Sequence, residues 1–211
     1  MTGKSGAPFV FVVDDDPSIR SSLKFLIGSV GLQVESFEST SSFLEGQLPD
    51  APCCLVLDVR LHGASGLDFQ RELTARNIRI PIIFMTGYGD IQMSVSAMKG
   101  GAVEFLAKPF RDQDLLDAIR VALEKDHARR EKEKTVREIQ RRFDSLSPRE
   151  QEVMSMVVAG MLNKQIADAL GIAENTIKVH RSRAMEKMQA QSLADLVRMT
   201  EKLKELPGKS L

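Results

Sequence analysis

The sequence contains no tryptophan, one tyrosine and two cysteines among its 211 residues. Cys53 and Cys54 are adjacent and lie in an apolar run, so the sequence indicates neither a disulfide framework nor a metal site built from cysteines. Long apolar runs are also missing, because the N-terminal run Phe9–Val13 is far shorter than a signal-peptide core or a membrane span. We therefore expect a cytoplasmic protein that has no membrane partner.

The chain also lacks an excess of charge of either sign, since 29 basic side chains balance 29 acidic ones. A strongly basic chain would by itself suggest a nucleic-acid partner, and this chain gives no such signal. Hydrophobic residues make up 43% of the sequence, a share typical of globular proteins, and the length suits two small domains. Any prediction of DNA binding must therefore rest on local sequence patterns.

The first part of the chain alternates between apolar runs and helical patterns. The apolar runs are Phe9–Val13, Cys53–Leu57 and Ile80–Met85, with shorter ones near Gln33–Phe37 and Val103–Leu106. Helical patterns begin at Pro17, with Asp16 as a candidate cap, and cover Leu67 to Leu73 and about Asp90 to Lys99. Continuous apolar runs suit strands that are buried on both faces. Five strands alternating with helices predict an α/β fold, a doubly wound parallel sheet with helices on both faces.

From Arg111 onward the pattern is helical, and neither glycine nor proline interrupts it before Pro148. Its middle, from Glu124 to Thr135, is almost wholly polar or charged, so we interpret it as a helix that continues into a solvated helical linker. A partly disordered linker is the alternative. Beyond it the sequence predicts an all-α region of four short helices, at about Ser147–Ala159, Asn163–Leu170, Glu174–Met188 and Ser192–Lys204.

Polar side chains follow several predicted strands, at the edge where chemistry collects in a doubly wound sheet. Asp14 and Asp15 follow the first strand, Asp58 the third, Thr86 the fourth and Lys108 the fifth. Crowded carboxylates resist ionising together, and Mg²⁺ relieves the repulsion because it prefers a few carboxylates, waters and a phosphate oxygen. An aspartate can also act as a nucleophile and form an acyl phosphate, whose charge Lys108 can offset. Asp58 stands alone after a buried strand and is the best candidate nucleophile.

These motifs resemble the receiver domain of two-component response regulators. The resemblance covers residues 7–125 and rests on VVDDDP from Val12, LVLDVR from Leu55, SGLDF from Ser65, FMTGYGD from Phe84 and GAVEFLAKPF from Gly101. It implies a CheY-like, flavodoxin-like sheet of five strands in the order 2-1-3-4-5. It also implies a Mg²⁺ pocket, whose ligands would be Asp14, Asp15, Asp58 and the backbone carbonyl of Arg60.

The same resemblance implies a role for each remaining pocket residue. A sensor histidine kinase would phosphorylate Asp58, Thr86 would be the switch hydroxyl, and Phe105 would change rotamer with it. Lys108 would contact the phosphoryl group, and the peptide bond between Lys108 and Pro109 would be cis.

The sequence departs from the family pattern beside the phosphorylation site. Receiver domains usually carry Met-Pro after the position of Arg60, whereas this chain reads Leu61-His62-Gly63. We interpret His62 as an exposed loop residue. The departure leaves the rigidity of this loop and the lifetime of the phosphoryl group open.

Residues Asn163 to Ser182 have the spacing of a helix-turn-helix, with Gly171 in the turn. The apolar residues of the second helix fall on one face, so the opposite face would enter the major groove of DNA. Base contacts are predicted for Lys178, Val179 and Ser182. Further contacts to DNA, mainly to phosphates, are predicted for Asn175, Thr176, Arg181 and Arg183.

Two residues of this second helix have an alternative to DNA contact, and the residue before the helix lacks a capping side chain. Arg181 lies nearer the inner face, so pairing within the domain is its alternative. We interpret His180 as a hydrogen-bonded core histidine rather than a DNA contact. Ala173 stands where relatives often place a capping serine, a loss of about 1 kcal/mol that Asn175 or Thr176 could offset.

The stretches LSPREQEVM from Leu146 and GMLNKQIADALGIAENTIKVHRSRAMEKM from Gly160 resemble the four-helix output domain of the LuxR/NarL class. Together with the receiver motifs, the chain is similar to the FixJ branch. The resemblance implies a transcriptional activator that dimerises on phosphorylation, binds double-stranded DNA and acts on RNA polymerase. We expect a receiver domain at 1–125, a helical linker at 126–143 and a DNA-binding domain at 144–211.

Two other functions are weighed against this one. A Mg²⁺-dependent phosphatase would also pass through an aspartyl phosphate, but it would need an acid two residues after Asp58, where this chain has Arg60. A DNA-binding protein with a degenerate receiver would lack part of the pocket, and here the pocket residues are all present. We therefore expect that the chain is not an enzyme.

Overall fold

The computed structural model describes residues 6–61, 64–87 and 91–204. The chain divides into two compact units, Met1–Arg130 and Glu131–Leu211. The first unit holds one parallel sheet, whose strands are β1 (Phe9–Val13), β2 (Gln33–Phe37), β3 (Cys53–Asp58), β4 (Ile82–Thr86) and β5 (Glu104–Ala107). Their order is β2-β1-β3-β4-β5, and every neighbouring pair is parallel. The predicted α/β fold and strand order are confirmed.

The strand boundaries differ from the prediction in an informative way. The fourth strand runs from Ile82 to Thr86 rather than from Ile80 to Met85, because Pro81 has no N–H to give to the ladder. Asp58 and Thr86 are thus the last residues of their strands instead of the first residues after them. A separate antiparallel pair of two-residue strands, Arg60–Leu61 and Ala64–Ser65, was not predicted.

The helices of this unit are α1 (Pro17–Ser29), α2 (Thr40–Glu45), α3 (Gly66–Ala75), α4 (Ile91–Lys99) and the start of α5 (Asp112–Asp144). Asp16 caps α1 as predicted, because its side chain accepts a hydrogen bond from the Ser18 N–H. The short helix α2 was not predicted, and a capping box between Ser39 and Ser42 begins it. The predicted start of α4 at Asp90 lies outside the described residues.

Each face of the sheet is covered by its own helices. Alternate residues of β3 point to opposite sides, so Leu55 and Leu57 join one core cluster with helices α2 to α4. Val56 joins the other cluster, with α1 and α5. Cys53 and Cys54 are buried free thiols, one in each of these two clusters.

The second unit is helical over its described residues. Helix α5 is continuous from Asp112 to Asp144, which confirms the helical interpretation of the charged stretch. The helices that follow are α6 (Pro148–Val158), α7 (Asn163–Leu170), α8 (Glu174–Met188) and α9 (Leu193–Lys204), close to the predicted bounds. Gly171 ends α7 with φ of 66°, a left-handed conformation that glycine adopts without strain, and so allows the sharp turn between α7 and α8.

Candidate functional site

The pocket residues meet at the carboxyl edge of the sheet. Asp14 directly follows β1, Asp58 ends β3 and Thr86 ends β4, while Lys108 directly follows β5. Parallel strands end at the same edge, so positions far apart in sequence become neighbours. Asp14 and Thr86 are fully buried, and only 8% of Asp58 is exposed.

Lys108 links two of the carboxylates. Its Nζ donates a hydrogen bond to Asp14 Oδ2 at 2.9 Å and another to Asp58 Oδ2 at 2.7 Å. Its backbone N–H donates to the Thr86 carbonyl at 2.7 Å, which fixes the chain as it leaves β5. The peptide bond between Lys108 and Pro109 is cis, as the resemblance implied.

The second oxygen of each buried carboxylate is held by the backbone. Asp58 Oδ1 accepts a hydrogen bond from the Arg60 N–H, and Asp14 Oδ1 accepts one from the Asp16 N–H, both at 2.9 Å. Each carboxylate is thus bound at one oxygen by a cation and at the other by a peptide group. These bonds fix the orientation of the Asp14 and Asp58 carboxylate planes.

The pKa values of Asp14 and Lys108 both lie above their ordinary values, but for different reasons. Burial raises the pKa of Asp14 above its ordinary value and outweighs the hydrogen bond from Lys108, which lowers it. Burial alone would lower the pKa of Lys108, but its hydrogen bonds to Asp14 and Asp58 raise it above the ordinary value. Lys108 therefore stays protonated at neutral pH and can serve as a fixed positive charge.

The acidic residues can accommodate a cation. One carboxylate oxygen from each of Asp14, Asp15 and Asp58 lies within 4.8 Å of the other two. Oxygen donors at this spacing suit a hard divalent ion, and Lys108 offsets only one of the three negative charges. The N–H of Arg60 binds Asp58, and the short pairing of Arg60 with Ser65 fixes the backbone that carries the Arg60 carbonyl.

Two further predicted residues lie on the neighbouring strands. Phe105 on β5 is half-buried, and its ring centroid is 6.4 Å from that of Phe84 on β4. Thr86 pairs with Ala107, two positions beyond Phe105, so the hydroxyl and the ring belong to the same two adjacent strands. His62 and the Tyr88-Gly89-Asp90 part of the FMTGYGD motif lie outside the described residues.

Gly66 is a site residue whose role the sequence did not reveal. A Cβ at this position would lie 2.5 Å from the Asp58 carbonyl oxygen and 3.1 Å from Val59 Cα. The Gly66 N–H also donates to the Val59 carbonyl at 2.8 Å. The start of α3 therefore packs directly on the backbone of Asp58, and only glycine allows this approach. Gly66 is the glycine of the SGLDF motif, but the sequence alone does not show that it packs against Asp58.

The second unit presents the predicted face of α8. Ile177, Ala184 and Met188 are buried, as the helical rotation predicted. The predicted DNA contacts that are exposed are Asn175, Thr176, Lys178, Val179, Ser182 and Arg183. Val179 is an apolar side chain that is 47% exposed, and Lys178 Nζ lies 3.3 Å from Glu174 Oε1 on the helix surface.

Two residues of α8 behave differently from this face. Arg181 Nη1 donates to Asn163 Oδ1 at 3.0 Å, which is the intradomain pairing weighed as its alternative. His180 is half-buried, and its Nδ1 is buried and has no hydrogen-bond partner among the residues that the structure describes. The expectation that His180 is a hydrogen-bonded core residue is therefore wrong for this nitrogen, because the helix packing covers it without supplying a polar group.

Comparison with known proteins gives two family matches and several close relatives. Residues 10–120 match the response regulator receiver domain, and residues 144–200 match the luxR family of bacterial regulatory proteins. Nodulation protein W of Bradyrhizobium diazoefficiens is 57% identical over 202 residues, covering 96% of this chain and 89% of the relative. Transcriptional regulatory protein FixJ of Azorhizobium caulinodans is 43% identical over 190 residues, covering 90% of both.

A solved structure agrees with these matches. The structure of the response regulator StyR has a TM-score of 0.84 and 50% identity, and covers 93% of this chain and 100% of that one. The resemblances found in the sequence are confirmed, as is the expectation that the chain is not an enzyme. Among the described residues, no helix is both long and apolar enough to span a membrane.

Proposed function

The chain belongs to the response regulators that join a receiver domain to a LuxR-family DNA-binding domain, and from this premise we propose that phosphorylation of Asp58 controls its regulation of transcription. We propose a receiver at 1–125, a linker at 126–143 and a DNA-binding domain at 144–211, with the first residues of the linker, Asp126 to Arg130, packed against the receiver. The contact of Lys108 with Asp58 carries the proposal, because it sets a fixed cation 2.7 Å from the candidate nucleophile.

The proposed reaction is a phosphoryl transfer from a sensor histidine kinase. An oxygen of the Asp58 carboxylate attacks the phosphorus of a phosphohistidine. The O–P bond forms as the P–N bond breaks, and the imidazole leaves with the electron pair and later takes a proton from solvent. Lys108 then shifts from Asp58 to the phosphoryl oxygens.

The acidic residues have a second part in this reaction. Asp14, Asp15, Asp58 and the Arg60 carbonyl would hold a Mg²⁺ ion, which when bound supplies charge that offsets the phosphoryl oxygens. The spacing of the three carboxylates supports this assignment. The hydrogen bonds to Asp14 and Asp58 keep both carboxylates oriented, so little reorganisation is needed.

The new charge at Asp58 would act on the neighbouring strands. We propose that the Thr86 hydroxyl moves towards the phosphoryl group, that Phe105 changes rotamer with it, and that the α4–β5 face then forms a homodimer. Large apolar side chains on α4 support this surface, since Val95 is 44% exposed and Met98 46%. Dimerisation would pair two copies of α8 on half-sites about one helical turn of DNA apart.

On DNA, we propose that the exposed face of α8 reads the sequence. Lys178, Val179 and Ser182 would contact base edges, and their exposure supports this role. Asn175, Thr176 and Arg183 would contact the backbone or bases near the helix start. Arg181 would act through Asn163, which it binds, or reach a phosphate with its remaining donors.

The output we propose is activation through contact with RNA polymerase, in the cytoplasm where the chromosome lies. The choice of activation follows the FixJ branch and rests on that analogy.

The experiment uses acetyl phosphate, Mg²⁺ and the purified chain, with intact mass and a phosphate-affinity gel as readouts. Wild type should gain one phosphoryl group that hydroxylamine removes, and Asp58→Asn should gain none. Asp68→Asn, an exposed aspartate on α3, is the matched control and should behave as wild type. Equal labelling of wild type and Asp58→Asn would refute the assignment of Asp58.

A further inference from the structure

Arg20 on α1 reaches back to the acidic loop that follows β1. Its Nη1 donates one hydrogen bond to the Asp14 carbonyl at 2.8 Å and another to the Asp15 carbonyl at 2.9 Å. The side chain is half-buried. A single guanidinium nitrogen therefore binds two consecutive peptide carbonyls, and these belong to the two residues that begin the acidic pocket.

The position of Arg20 does not suit the helix that carries it. Its backbone N–H makes the first backbone hydrogen bond of α1, to the Asp16 carbonyl at 3.1 Å. A cation at a helix N-terminus opposes the helix dipole, which favours negative charge there. The stabilisation that Arg20 provides therefore comes from the two loop carbonyls rather than from the helix.

The loop is fixed at its other polar groups as well. The Asp14 N–H donates to the Phe37 carbonyl on β2 at 3.2 Å, and the Asp16 N–H donates to Asp14 Oδ1. These bonds hold the N–H groups of Asp14 and Asp16, and Arg20 holds the carbonyls of Asp14 and Asp15. Since a carboxylate points where its backbone directs it, the placement of Asp14 and Asp15 beside Asp58 depends on both sets of bonds.

We propose that Arg20 is a positioning residue for cation binding, which fixes the Asp14–Asp15 backbone so that both carboxylates face Asp58. The proposal rests on the proposed function in one respect, that these carboxylates bind Mg²⁺. Removing Arg20 has two opposed effects. Loss of a nearby positive charge strengthens the attraction of the pocket for a cation, whereas loss of the backbone contacts weakens binding. Weaker Mg²⁺ binding after the removal of Arg20 therefore indicates a positioning residue, and stronger binding indicates that Arg20 acts only as a neighbouring charge.

The test is calorimetric titration of the full chain with Mg²⁺. Removing a residue that orients metal ligands typically lowers affinity 10–100-fold, so we expect Arg20→Ala to weaken Mg²⁺ binding by about tenfold. Arg20→Lys keeps the charge but loses the two-carbonyl geometry, and we expect binding at least about threefold weaker. Lys24→Ala, an exposed cation one turn further along α1, should stay within about twofold of wild type.

A second readout separates positioning from a general loss of fold. In phosphorylation by acetyl phosphate, Arg20→Lys should raise the Mg²⁺ concentration for half-maximal rate and leave the rate at saturating Mg²⁺ unchanged. Mg²⁺ binding by Arg20→Ala that equals or exceeds wild type would overturn the proposal, and so would unchanged binding by Arg20→Lys. Failure of the proposed function is distinct, since wild type would then bind no Mg²⁺ or Asp15→Asn would bind it equally well.

Discussion

Asp126 is a buried charge whose removal should destabilise the first unit. It lies in α5, is fully buried, and accepts a hydrogen bond from the Cys53 N–H at 3.0 Å. Arg130 Nε donates to it at 2.6 Å and Arg129 Nε at 3.1 Å. Because Cys53 begins β3, Asp126 joins α5 to the start of the central strand. The perturbation we choose is Asp126→Ala.

The structure sets the size of the expected effect. The Cys53 N–H would lose its partner in a buried position, which costs about 1–3 kcal/mol. The Arg129 and Arg130 side chains are 30% and 23% exposed, so both guanidinium groups can turn towards water and their lost bonds add only about 1 kcal/mol. The total, about 3 kcal/mol, lies at the lower end of the range for breaking a buried ion pair.

The two cysteines provide an assay that reports on the first unit alone. Cys53 and Cys54 are the only thiols in the chain, and they are 1% and 0% exposed. Labelling with a thiol reagent in increasing urea therefore measures unfolding of this unit and is silent to the second. A loss of about 3 kcal/mol raises the unfolded fraction in water about 100-fold.

Asp50→Ala is the matched control for this prediction. The Asp50 side chain is fully exposed, and its Oδ1 lies 3.5 Å from Arg130 Nη1. The substitution therefore removes a surface partner of the same arginine. We expect thiol labelling of this variant to follow that of wild type. The reasoning is refuted if Asp126→Ala changes the free energy of unfolding by less than about 1 kcal/mol, or if Asp50→Ala changes it equally.

Three further predictions concern pH, packing and DNA. Burial would raise the pKa of Asp126, but hydrogen bonds from the two arginines outweigh it and lower this pKa. The difference in free energy of unfolding between wild type and Asp126→Asn should therefore be largest at neutral pH and shrink as pH falls below about 4, which the same thiol labelling can measure. Gly100→Ala places a Cβ 2.5 Å from Gln70 Oε1 and should cost about 1 kcal/mol, less in a Gln70→Ala background; equal costs in both backgrounds would contradict the clash. Lys178→Ala should weaken operator binding by about 1–3 kcal/mol and relax base preference, whereas Lys202→Ala on α9 should not; anisotropy titration with varied operators decides.

All five strands of the sheet could be predicted from the sequence, although the apolar runs of the two edge strands, β2 and β5, are shorter than those of the interior strands. Strands β1, β3 and β4 are buried almost throughout, so uninterrupted apolar runs reveal them. Strand β5 lies at the edge, and its two end residues, Glu104 and Ala107, are exposed. Helix α2 has six residues and is set by a serine capping box, a pattern too short for periodicity to show.

The pocket was predictable because the ends of parallel strands meet at one edge of the sheet, which brings together residues that are far apart in the sequence. Lys108 is 94 residues from Asp14 and 50 from Asp58, yet all follow or end strands of one parallel sheet. Arg20 was not predictable, because its partners are backbone carbonyls and any residue presents those. The bare nitrogen of His180 was missed for a related reason: residue type indicates burial, but only the packing shows whether a partner is present.

The most direct test of phosphorylation control is operator affinity with and without phosphodonor. Wild type in Mg²⁺ and acetyl phosphate should bind a two-half-site operator more tightly than the untreated chain, and its mass in solution should shift from monomer to dimer. Asp58→Asn should show neither change. Equal tightening by Asp58→Asn, or phosphorylated wild type that binds no better than untreated protein, would contradict the account.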